Sequence, residues 1–101
     1  MPRLCIVGLD CLSPQLVFSD YWSSLPNLRS LAAEGVAAPM VSCHPPITVP
    51  AWAAMMTGCD PGMLGVYGFR DRADRSYHRR KLASSLSYHQ APLWTLLSRS
   101  G

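Results

Sequence analysis

The chain has 101 residues, 49% of them hydrophobic and only 15% charged, with a net charge of +3. This size admits one small domain or a portion of a larger one, and the apolar content excludes a disordered chain. Six basic residues (Arg70, Arg72, Arg75, Arg79, Arg80, Lys81) stand against Asp71 and Asp74 in one segment while the rest is slightly acidic, which excludes a broad nucleic-acid surface.

Leu4 to Leu9 is a short continuous apolar run and predicts a strand buried on both faces. Asp10 ends it, and Ser13-Pro14 offers a helix start for two turns over Gln15 to Trp22. Pro26 or Asn27 opens a second helix with Leu28, Leu31 and Ala32 on one face, stopped at Gly35. Val36 to Cys43 reads as a second strand, with Pro39 marking an edge or a bulge. From His44 to Pro50 three prolines impose a stiff loop, and Pro50 begins a helix to Thr57 that is apolar almost all round and therefore expected to be buried, Met55 and Met56 included. Gly58 closes that helix, Asp60-Pro61-Gly62 is a turn, and the basic segment forms a loop or hairpin through Ser76 to Leu82. Ala91 to Ser100 supplies a last helix with Leu93, Trp94, Leu96 and Leu97 on its apolar side. The order strand, helix, strand, helix predicts an α/β sheet.

Cys5, Cys11, Cys43 and Cys59 form no C-x-x-C pair, so free thiols in a reducing compartment are expected. No stretch reads as a secretory signal or a membrane span, and a cytoplasmic location without membrane contact is the expectation.

Two residues could carry chemistry. Asp10, at the end of the first apolar run, is either a turn or cap residue or a hard oxygen ligand for a divalent cation. Thr48, two residues before Pro50, suits an N-cap. The same place beside a helix N-terminus suits a hydroxyl facing a bound phosphoryl group, with a metal rather than a neighbouring base to activate it. Ligands of α/β sheets gather beyond the carboxyl ends of strands, so both residues could share one rim. His44, His78 and His89 form no cluster and read as loop or surface residues.

The stretch Thr48-Val49-Pro50-Ala51-Trp52, closing in Thr57-Gly58, resembles the nucleophile segment of the alkaline-phosphatase superfamily. Sulfatases of that superfamily carry C-x-P-x-R-x-x-x-L-T-G. Here Thr48 stands at the cysteine and Trp52 at the arginine, which is similar to the type I phosphodiesterase/nucleotide pyrophosphatase branch. The likeness extends through Val7-Gly8-Leu9-Asp10, Leu25-Pro26-Asn27-Leu28, Glu34-Gly35-Val36, Pro45-Pro46-Ile47 and Ala91-Pro92-Leu93-Trp94 with Leu97 and Gly101. Cys11 departs from the glycine usual after the aspartate, and Leu64 from a common histidine.

The resemblance implies the N-terminal portion, residues 1–101, of a three-layer α/β/α sandwich. It also implies Thr48 as the nucleophile and two divalent metal ions, zinc first among the candidates, held by Asp10 and Thr48 with ligands from a C-terminal remainder. The expected substrate is a phosphodiester or nucleotide-like small molecule rather than a nucleic acid, and this portion alone is expected to be inactive. Two alternatives stand beside this reading: a non-catalytic or degenerate relative that serves as a folding or partner-binding module, and a phosphomutase or phosphonate hydrolase relative.

Overall fold

A computed structural model describes residues 4–100 of the chain, which divides into two compact units, 1–40 and 41–101. Gly101, where the resemblance ends, lies outside the described residues.

In the first unit the expected opening strand is not formed. Leu4 to Leu9 belongs to no helix or ladder, and Leu4 and Val7 are 71% and 73% exposed. The physical reason is a missing partner: a strand bonds its N–H and C=O groups only across a ladder, and among the described residues none pairs with this run. The helix start at Ser13 does form. Ser13 Oγ accepts from Leu16 N–H at 3.5 Å, and its C=O accepts from Val17 N–H at 3.3 Å. The chain widens into a π turn over Leu16–Asp20, then tightens into a 3₁₀ turn over Trp22–Ser24, with the Phe18 and Trp22 rings 5.5 Å apart. Helix α1 (Pro26–Glu34) carries Pro26 in its first turn and ends at Gly35. Its predicted apolar face is barely covered, Leu28 and Leu31 being exposed and Ala32 half-buried. No described residue of this unit is buried. The second predicted strand also fails to pair: residues 36–43 hold no ladder, and Val36 is fully exposed.

The second unit has a core, though a thin one. Helix α2 (Thr48–Thr57) begins two residues earlier than Pro50 and ends at Gly58, whose left-handed φ of 70° only glycine adopts cheaply. Of its residues only Pro50 and Ala53 are buried; Met55 is exposed and Met56 half-buried. The expectation of a wholly buried helix is therefore corrected, because the short elements of this unit cannot surround an all-apolar cylinder. The turn expected at Asp60 is a one-turn helix, α3 (Pro61–Leu64), with Asp60 Oδ1 accepting from Met63 N–H at 3.0 Å. Ala53, Leu64 and Val66 form the core, with Val49, Cys59, Ala83 and Tyr88 packed around it. Fully burying Leu64 and Val66 contributes about 1.5–3 kcal/mol each.

The basic segment forms the predicted hairpin. Strand β1 (Arg70–Arg72) pairs antiparallel with β2 (Arg80–Leu82) in the register Arg70↔Leu82, Asp71↔Lys81, Arg72↔Arg80. The connecting turn is tied by Ala73 N–H to Arg79 C=O at 2.9 Å and by Asp74 Oδ1 accepting from Ser76 N–H at 2.8 Å. Helix α4 (Leu93–Arg99) follows, shorter than predicted at both ends, with Trp94 and Leu97 exposed. Gln90 Nε2 donates to Met63 C=O at 3.1 Å and fixes the approach to α4 against α3. The described residues thus form a small mixed helix–strand structure with one two-stranded sheet, compatible with an α/β origin.

Candidate active-site residues

Thr48 is the first residue of α2, and Ile47, in extended conformation, occupies the N-cap. The capping role that its sequence position suited is therefore not the one it plays. Its side chain is half-buried. The mouth of the helix is shaped by Pro50. Ala51 N–H is the first to bond back, to Ile47 C=O at 3.0 Å, and Ile47 N–H is taken by Pro45 C=O at 2.9 Å. Pro50 has no N–H, so the N–H groups of Thr48 and Val49 remain at the mouth, with the positive end of the helix dipole behind them. A hydroxyl beside two outward N–H groups can attack an electrophile whose oxygens those N–H groups hold.

The far end of α2 explains the Thr57-Gly58 pair. Thr57 Oγ1 donates to Ala53 C=O at 2.7 Å and accepts from Cys59 N–H at 3.3 Å, while Gly58 N–H reaches Ala54 C=O at 2.8 Å. Threonine locks the last turn and glycine reverses the chain. This supporting role of Thr57 was not foreseen from sequence, although its place in the motif was the available signal.

Asp10 is exposed and follows the unpaired apolar run. Cys11 Sγ lies 3.7 Å from Asp10 Oδ2. Cys11 has φ 60° and is the one non-glycine with positive φ among the described residues. The backbone after the aspartate therefore takes a shape suited to glycine, and cysteine fills it at a cost. Leu64, at the other departure, is 3% exposed and belongs to the core, where an unpaired histidine would be costly.

Asp10 stands in the first unit and Thr48 in the second. His44, His78 and His89 are all exposed, as expected. Among the described residues no three His, Cys, Asp or Glu side chains converge on a point that could hold a metal. A catalytic zinc takes about three protein ligands, and a metal pair more. The described side chains therefore do not by themselves fit the two-metal centre that the resemblance implies. No described helix is long and apolar enough to cross a membrane.

A half-buried hydroxyl at an anion-receptive helix mouth fits a hydrolase that acts on an anionic centre. The comparison with known families makes this specific. Residues 4–101 match the type I phosphodiesterase / nucleotide pyrophosphatase family, and the chain belongs to it. It is thus a phosphodiesterase- or pyrophosphatase-type hydrolase domain by family, and that family is in general metal-dependent. No curated protein and no solved structure matches the chain significantly.

Proposed function

We propose that this chain is the nucleophile-bearing N-terminal portion of an alkaline-phosphatase-like catalytic domain, a three-layer α/β/α sandwich that cleaves phosphodiester or nucleotide pyrophosphate bonds. The observation that carries this reading is Thr48 as the first residue of α2, where its own N–H and that of Val49 belong to the first-turn groups that have no intrahelical partner. In the proposed reaction Thr48 Oγ1 attacks phosphorus, the bond to the leaving oxygen breaks, that oxygen departs with the proton the hydroxyl gives up, and a phosphothreonine that keeps the substrate's other substituent forms. Water then attacks the same phosphorus and returns the hydroxyl. The two N–H groups hold a non-bridging oxygen through both steps.

Asp10 is proposed as a metal ligand, with its remaining ligand set outside the described residues. The apolar segments Leu4–Leu9 and Val36–Cys43 would then be sheet strands whose neighbours lie elsewhere in the domain, consistent with the exposure of Leu4, Val7, Val36 and Val41. The substrate is proposed to be a small phosphodiester or nucleotide, and the compartment cytoplasmic.

Thr48→Ala is the test, in polypeptide that carries the whole ligand set. Turnover of a nitrophenyl phosphodiester should fall by several orders of magnitude, while Thr48→Ser keeps measurable activity. Near-native turnover by the alanine variant would sink the assignment. The 101-residue chain alone, with zinc added, is expected to show no hydrolysis above buffer, and Thr48-dependent turnover by it would overturn the division of the site. A second reading, a non-catalytic partner-binding module, is favoured by the lack of any three-ligand group among the described residues. It predicts no Thr48-dependent activity in any context.

A further inference from the structure

The β1–β2 hairpin presents a charge arrangement that its own stability does not call for. In an antiparallel pair, residues directly opposite share a face and successive residues alternate. The register therefore places Arg70, Arg72 and Arg80 together on one face with Leu82, and Asp71 with Lys81 on the other. Arg72 directly faces Arg80, and like charges so placed destabilise a sheet.

The nearby carboxylates do not neutralise that face. Asp74 Oδ2 is paired with Arg79 Nη1 at 3.3 Å. Asp71 is nine-tenths buried, and its Oδ1 accepts from Tyr67 N–H at 3.1 Å. Arg72 is also oriented: its guanidinium carbon lies 5.1 Å from the centre of the Tyr77 ring, a stacking that fixes the fork without consuming its donors. Arg70 and Arg72 also line an open cavity of about 410 Å³ along β1, but Arg80 does not, and the carboxylates Asp71 and Asp74 share that lining.

We propose that this hairpin face is a binding site for the diphosphate group of a small molecule, gripped by Arg70, Arg72 and Arg80. Three guanidinium groups are rooted about 5–8 Å apart by the strand spacing, which suits two adjacent phosphoryl groups held by charge-assisted forks. Each strand is only three residues long, too short to follow the backbone of a nucleic-acid duplex, whose binding draws on a longer basic track. The diphosphate offsets the repulsion between Arg72 and Arg80, which face each other in the hairpin. This site stands independently of the role assigned to Thr48.

The experiment is calorimetric titration of the 101-residue chain with inorganic pyrophosphate at low salt in the presence of EDTA. Saturable one-to-one binding is expected. Arg72→Gln and Arg80→Gln should each weaken it by about tenfold or more, whereas Arg99→Gln on α4 leaves it unchanged. Arg80→Lys should retain part of the affinity, since charge remains and the fork is lost. Removing one of two facing like charges relieves the hairpin, so circular dichroism of the glutamine variants should match the parent. No binding, undiminished binding by the Arg72→Gln/Arg80→Gln pair, or tighter binding to a random DNA duplex than to pyrophosphate would each overturn the proposal. Loss of binding in Thr48→Ala would overturn it as well, by moving the ligand to the helix mouth while leaving the hydrolase reading intact.

Discussion

Cys11→Gly is expected to stabilise the chain, an unusual direction for a substitution beside a proposed metal ligand. Cys11 has φ 60°, where a side chain crowds its own carbonyl at a cost of about 1–2 kcal/mol. Glycine removes that strain but gives back about 0.5–1 kcal/mol of backbone entropy in the unfolded chain. The side chain is exposed, so little packing is lost, and the balance is a gain of about 1 kcal/mol. Urea unfolding followed by tryptophan fluorescence reads it, Trp22 being half-buried in the same unit. With a slope of about 2 kcal/mol per molar, the midpoint rises by roughly 0.5 M. Cys11→Ala is the control, since it deletes the thiol and keeps the Cβ. If the alanine and glycine variants have equal midpoints, the strain is not there and the reasoning is wrong.

Gly58→Ala should destabilise by about 1 kcal/mol, because φ is 70° and a Cβ meets nothing within 4 Å, so backbone strain is the whole effect; thermal unfolding measures it. Asp10→Asn, in polypeptide with the full ligand set, should lower bound metal by elemental analysis, and unchanged stoichiometry with full activity would return Asp10 to a turn residue. The Asp74 carboxyl is held below its ordinary value of 3.8 by hydrogen bonds from Ser76. A depressed folded value means this contribution is complete above 3.8 and is lost as pH falls through the lower folded value. Amide exchange at Ser76 should accelerate in that acid window in the parent and show no such pH step in Asp74→Asn.

Local signals in the sequence were legible wherever the backbone satisfies itself. Ser13-Pro14, Pro26 with Gly35, the stop at Gly58 and the hairpin around Ser76 all appear where capping and turn chemistry place them. The strands at Leu4–Leu9 and Val36–Cys43 did not, because a strand is a property of two segments and neither run pairs with another among the described residues. The apolar faces of α1 and α2 failed for the same reason: hydrophobicity says that a face wants cover, not that cover exists. At the site, the family motif located Thr48, but only the geometry moved it from the N-cap into the first turn. Periodicity could not reveal the positive φ at Cys11, although the glycine usual at that place hinted at it.

The unpaired Leu4–Leu9 run makes concentration a variable in the life of this polypeptide. Its six residues contain no charge and no proline, a composition prone to cross-chain zippering. Capture by a segment of the same polypeptide is first order, at an effective concentration set by the intervening chain. Capture by another copy is second order and accelerates with expression level. Yield of soluble protein should therefore fall as synthesis speeds up, and recover on slow induction or on refolding by high dilution.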